Sequence, residues 1–246
     1  MCLLIQHELK LLMINLRYLA IELFYQLAVK QFGIYAVVKL DSAISIYDYV
    51  YAYLTKHSVQ TSEELGTYPP SWHQRCCDLV IALVQHKDML EEYFSLSISL
   101  SSVDAMNEDE EINVKKVMLT SLPALLHDNC TPDPLFLPVL LFELCECAEE
   151  GVWKTEKDCF VSICECLANY FACSLLDGFN SRTSSGSVED PVTKISFVLL
   201  PALRYYFFPC KYPRSRVLNT CSSQNNQNIV VEVTSLNQLY KVFERC

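Results

Sequence analysis

The 246-residue chain is 51% hydrophobic and 20% charged, so it can bury a sizeable core and is not a disordered segment. Asp and Glu number 29 against 19 Lys and Arg, a net charge of −10 that argues against autonomous, charge-driven binding of nucleic acid. Thirteen cysteines, an odd number without a secretory signal, fit buried thiols in a reducing compartment better than a disulfide framework.

Lys10–Asn15 (KLLMIN) is a short apolar run that fits a buried strand. Leu16, Leu19, Ala20, Leu23, Phe24 and Leu27 recur at helical spacing, and Gly33 ends that helix. Tyr35–Leu40 reads as a second strand and Ile44–Leu54 as a tyrosine-rich helix. A polar loop at His57–Pro70 leads to a long helix over Ser71–Tyr93, with Ser71 as its N-cap. Phe94–Leu100 alternates apolar residues with serine, as a half-exposed strand does. After an acidic loop, Val114–Thr120 resumes as a strand. Pro132, Pro134 and Pro138 open an apolar helix ending near Glu150, and Thr155–Cys173 forms another with Cys164 on its apolar stripe. Asp177–Asp190 is a Ser/Gly-rich linker. Lys194–Phe208 is helical, kinked at Pro201, and Ile229–Val233 is a last strand. The run Ile195–Phe208 is the longest candidate for a membrane span, and it is too short and carries Pro201 and Arg204.

This order predicts an α+β fold: a mixed β-sheet with packed helices built from both chain ends, plus an inserted, mainly helical outer subdomain. The expected parts are residues 1–43 with 191–246, the insert 44–176, and the linker 177–190. Residues 10–15, 35–40 and 229–233 are predicted to share one sheet.

Familiar catalytic motifs are missing: no G-x-G-x-x-G, no phosphate loop, no G-x-S-x-G and no H-E-x-x-H occurs. The five histidines are isolated, and His86 lies on a helix with Leu79, Leu83 and Leu90. The C-x-C pairs Cys145/Cys147 and Cys164/Cys166 have no histidine at zinc-ligand spacing. The chain closes on LYKVFERC, where Leu239, Tyr240, Val242 and Phe243 are spaced to dock and Cys246 sets a thiol beside the α-carboxylate. From spacing alone, a docked terminal helix with a bystander thiol accounts for it.

LYKVFERC, ELFYQLAVKQFGIYAVVKL (Glu22–Leu40), DMLEEYFSLSIS (Asp88–Ser99), LPALLHDN (Leu122–Asn129) and EKDCF (Glu156–Phe160) occur in an order that resembles one family. It is the C-terminal dimerisation domain of the eukaryotic MutL-homologue-one DNA mismatch-repair proteins. The resemblance runs from about Leu3 to Cys246, with unlike loops at 57–70, 104–113 and 214–228. It implies a chain without the family's N-terminal ATPase and flexible linker, starting inside the dimerisation domain with its first helix and strand missing. ATP would bind only in that absent domain. The family's nuclease paralogues follow the early strand with D-Q-H-A-x-x-E, whose Asp, His and Glu serve a metal. Here Asn15, Arg17 and Ile21 stand at those positions, and neither Arg nor Ile ligates a divalent cation. Their later C-P-H motif is absent as well, so the resemblance is to the non-nuclease subunit.

In that family the closing cysteine reaches the partner's metal site. The resemblance therefore implies that Cys246 completes, in trans, a zinc or other divalent-metal site of an endonuclease-subunit MutL homologue, with no cofactor and no catalytic residue in this chain. Leu236, Leu239, Tyr240, Phe243, Glu244 and Arg245 would form the dimer-facing segment, together with an apolar sheet edge left by the missing strand. Repair factors bearing short docking peptides are further expected partners, without strong direct DNA binding or membrane contact, and the nucleus is the expected location. The competing readings are an autonomous metal-dependent nuclease or hydrolase using the cysteines, and a truncated product without function.

Overall fold

The computed structural model describes residues 2–8, 10–58, 72–100, 113–126, 133–149, 151–176, 191–208 and 230–235, with 57–58, 191–192 and 230–235 described by backbone alone. Strands β1 (Cys2–His7) and β2 (Lys10–Asn15) form a hairpin, closed by a two-residue turn in which Glu8 takes a φ of 53°. Helix α1 (Leu16–Lys30) follows directly. Its start is fixed by Asn15, whose side chain accepts a hydrogen bond from the Arg17 backbone N–H at 3.1 Å. Its end is fixed by Gly33, which adopts a φ of +73° and donates its N–H to the Tyr93 carbonyl.

The central packing event is α1 against α6 (Glu156–Leu176). Leu16, Ala20, Leu23, Phe24 and Leu27 are buried on α1, and Cys164, Leu167, Ala168 and Phe171 on α6. The Phe24 and Phe171 rings stack with centroids 5.7 Å apart. Helix α6 is long and apolar enough to cross a bilayer, a feature that the sequence reading assigned to no segment, yet most of its apolar window is buried against neighbouring helices. Helices α2 (Ile46–Ser58), α3 (Trp72–Val84) and α5 (Leu137–Glu149) pack on one another, and α5 also packs against α6.

The α+β class holds, with two small sheets in place of one. In the first, β2 lies between β1 and β6 (Val230–Ser235), so residues from both chain ends do share a sheet. The expected third member does not join them. Strand β3 (Ala36–Ser45) pairs instead with β5 (Val117–Ala124), whose other edge holds β4 (Ser97–Leu100). Both edges of β2 are already occupied, whereas β5, with Val117, Leu119 and Leu122 buried, needs a neighbour on each side. All these pairings are antiparallel, not mixed. Among the described strands this sheet has two open edges, the outer sides of β1 and of β6.

The long helix expected over 71–93 is two helices, α3 and α4 (Lys87–Phe94); Ser71, its expected cap, lies outside the described residues. The His86 N–H closes on the Leu83 carbonyl, and the helix restarts one residue later. An unbroken helix of that span would run more than about 30 Å and leave the core. The break lets Leu90 and Phe94 turn inward, and His86 rests edge-on against Trp153. The 191–208 segment also departs from a simple proline kink. Pro191–Lys194 (α7) and Leu200–Tyr206 (α8) flank a π-helical turn at Ile195–Leu199. Pro201 has no N–H for the Phe197 carbonyl, and the wider turn accommodates that loss.

Candidate partner-binding surfaces and the α1 N-terminus

Asn15, Arg17 and Ile21 lie at the start of α1, half-buried, exposed and buried respectively. Asn15 is spent on the helix cap. The Arg17 guanidinium reaches α6, donating from Nη2 to Cys173 Sγ at 3.1 Å. Ile21 is buried in the core. Among the described residues, no group of three His, Cys, Asp or Glu side chains is placed to hold a metal ion.

Close by, on α5, lies Glu143. Burial, then the nearby Glu146, push its carboxyl up to about 7, while a hydrogen bond with Asn169 and the charge of Arg17 pull the other way. Arg17 thus lies between the half-buried Glu143 carboxyl, whose charged form it favours, and the Cys173 thiol.

The described cysteines are free thiols. Burial raises the thiol of Cys76 to about 12 and that of Cys159 to about 11, and holds Cys145 well above its ordinary range. Cys166 is also held well above it, first by a hydrogen bond with Cys147 and then by burial. Cys77 is raised as well, mainly by desolvation. These are protonated, weak nucleophiles, the opposite of an activated catalytic cysteine.

Leu236, Leu239, Tyr240, Phe243, Glu244, Arg245 and Cys246 lie outside the described residues, as does the linker 177–190. The structure does describe the strand just before them: β6 ends at Ser235, opposite Lys10 at the β1–β2 turn.

Two exposed apolar surfaces escaped the sequence reading. The first is on the 191–208 segment, where Phe197, Tyr205 and Phe208 are 75%, 72% and 64% exposed, with Leu200 and Tyr206 beside them. The opposite face of the same segment buries Leu199 and Ala202, and α8 packs on α1. A signal was present: in the run Ile195–Phe208 only Ser196 and Arg204 are polar or charged apart from the tyrosine hydroxyls, more apolar surface than one buried stripe needs. The second surface centres on Phe32, after α1. Its ring lies 5.8 Å from Tyr93, 5.4 Å from Phe94 and 4.7 Å from Phe160, and Ile34 beside it is 79% exposed. Gly33 holds this turn onto the end of α4 through Tyr93.

The chain matches the family described as DNA mismatch repair protein Mlh1 C-terminus over residues 1–246. It is 29% identical over 249 residues to the DNA mismatch repair protein Mlh1 of Dictyostelium discoideum, covering 99% of this chain and 26% of that protein. It is 26% identical to the DNA mismatch repair protein MLH1 of Saccharomyces cerevisiae, covering 98% of this chain and 28% of the relative. A third match, 26% identical, is to the putative MutL protein homolog 1 of Schizosaccharomyces pombe, covering 98% of this chain and 29% of the relative. The chain thus spans between a quarter and a third of the length of these relatives.

Proposed function

Because the chain belongs to the Mlh1 C-terminal family of MutL-type DNA mismatch-repair proteins, we propose that it is a non-catalytic dimerisation and recruitment module, holding an endonuclease-subunit MutL homologue in the nucleus. The observation that carries the reading is the exposed aromatic face of the 191–208 segment. Phe197, Leu200, Tyr205, Tyr206 and Phe208 form an apolar surface on a helix whose other side is anchored to α1. Aromatic side chains presented from a rigid support are the usual energetic centre of a protein interface. Asn15 engaged as a helix cap, with Arg17 and Ile21 of non-ligand type, supports a subunit that contributes to nicking only through its partner.

In this reading the segment after β6 carries Leu236, Leu239, Tyr240 and Phe243 along the partner. Glu244, Arg245 and Cys246 then enter the partner's site, where the Cys246 thiolate and the α-carboxylate are both able to ligate zinc or another divalent cation. Residues 1–43 with 191–246 serve dimerisation, and the insert 44–176 faces outward. The Phe32 surface, where α1, α4 and α6 meet, suits short docking peptides of other repair factors, which insert apolar side chains beside Phe32 and Tyr93. DNA contact falls to the partner and to the family's ATPase region, in keeping with the charge of −10.

The experiment is co-purification with the MutL-homologue endonuclease subunit, followed by a nicking assay on the heterodimer that contains the full-length protein. Phe197→Asp with Tyr205→Asp is expected to abolish the complex. Deleting Cys246 is expected to leave the complex intact and to lower metal-dependent nicking, more than Cys246→Ser does. Unchanged binding by the double variant refutes the proposed face. Full nicking without Cys246 refutes the trans ligand.

A further inference from the structure

A polar row on α1 grips the end of α8. Glu22, Gln26 and Lys30 follow one another at a spacing of four along the helix, so they lie on one face. The Gln26 carboxamide makes two reciprocal hydrogen bonds with the backbone of Phe208, 182 residues away. Its Nε2 donates to the Phe208 carbonyl at 2.8 Å, and its Oε1 accepts the Phe208 N–H at 2.9 Å. The same Nε2 donates to Glu22 Oε1 at 3.0 Å, which sets the plane of the amide. One turn further, the Lys30 ammonium lies 5.9 Å from the centre of the Tyr206 ring. Phe208 is two residues past the last helical residue, where the backbone no longer has helical partners and needs others. A primary carboxamide meets both needs because it carries a donor and an acceptor side by side.

We infer that Gln26 is a positioning residue for the partner surface: it latches the backbone at Phe208 and so holds Tyr205, Tyr206 and Phe208 in one presentation before the partner arrives. The inference rests on the reading of the 191–208 face as the partner surface, and it assigns that face a control point outside itself. The latch works by preorganisation. A segment already held in its bound geometry loses less conformational freedom on association. Gln26 keeps the chain end aligned, Glu22 keeps Gln26 aligned, and Lys30 restrains the Tyr206 ring.

The test uses the full chain with three variants. Gln26→Leu keeps the side-chain bulk and removes both backbone bonds. Gln26→Glu keeps an acceptor for the Phe208 N–H but presents oxygen to the Phe208 carbonyl and to Glu22. Phe197→Asp with Tyr205→Asp removes the surface itself. Hydrogen exchange in the free chain reads the latch directly: in Gln26→Leu the Phe208 amide is expected to exchange faster, with the α1 and α6 amides and the melting temperature unchanged. Binding to the C-terminal domain of the MutL-homologue endonuclease subunit is expected to weaken about tenfold in Gln26→Leu and at least as much in Gln26→Glu. Unchanged exchange at Phe208 overturns the latch whatever the partner does. Faster exchange with unchanged affinity, while the aspartate pair abolishes binding, overturns the positioning role and leaves the partner surface standing. Unchanged affinity in the aspartate pair overturns the surface reading and the positioning role together.

Discussion

Phe24 and Phe171 are fully buried against each other between α1 and α6; Phe197 and Phe208, on the 191–208 segment, stand mostly in solvent. All four come from strongly apolar stretches, and nothing in residue type separates them. The difference lies in what each helix has on its far side. Helix α6 packs on both α1 and α5, so most of its circumference is covered. The 191–208 segment buries Leu199 and Ala202, with α8 packed on α1, and no described element covers Phe197. An apolar side chain on an uncovered face lowers solubility unless something covers it, so the contrast divides residues that hold the fold from residues that the proposed function assigns to a partner.

Four measurements test that contrast. The largest effect is expected from Phe171→Ala, which removes a ring from the α1–α6 contact and should cost about 3–5 kcal/mol in a denaturant titration. A small cost there would mean that this contact is not the structural centre. Phe197→Ala with Tyr205→Ala should leave the melting temperature in place and weaken heterodimer binding by about 2 kcal/mol or more, read by titration calorimetry. A fall in stability with intact binding would reverse the roles of the two regions.

Glu143 offers a finer probe, because its half-buried carboxyl on α5 is raised to about 7 from an ordinary value of 4.5. Its protonated form is favoured by folding, so the fold loses stability as pH rises from about 4.5 through 7. Glu143→Gln should therefore be more stable than the parent above pH 7, by roughly 1–3 kcal/mol, and equal to it below about pH 4.5. A pH-independent difference between the two would place Glu143 in solvent. The smallest effect belongs to Asn15→Ala. Loss of the α1 cap should cost about 1 kcal/mol of stability. Nicking by the reconstituted heterodimer should be unchanged; a loss of nicking would give Asn15 a share in the metal chemistry that its hydrogen bond to Arg17 does not indicate.

Elements whose signals are local can be read from the sequence. The repeat from Leu16 to Leu27 defines α1 because one buried face recurs every three or four residues, and Gly33 ends it because a positive φ is needed there. The strands at Lys10–Asn15 and near Ile229–Val233 are legible as short apolar runs, and family membership is legible in stretches such as LYKVFERC. The tertiary structure decided what depends on distant neighbours. Strand β3 joins β5 and not β2 because β1 and β6 already hold both edges of β2, and pairing is a competition that no single segment encodes. Helix α3 stops at Val84 without glycine or proline because Leu90 and Phe94 reach the core only after a restart. Phe197 is exposed while Phe171 is buried, and Gln26 meets Phe208 across 182 positions, because burial and contact are set by which elements come to lie side by side.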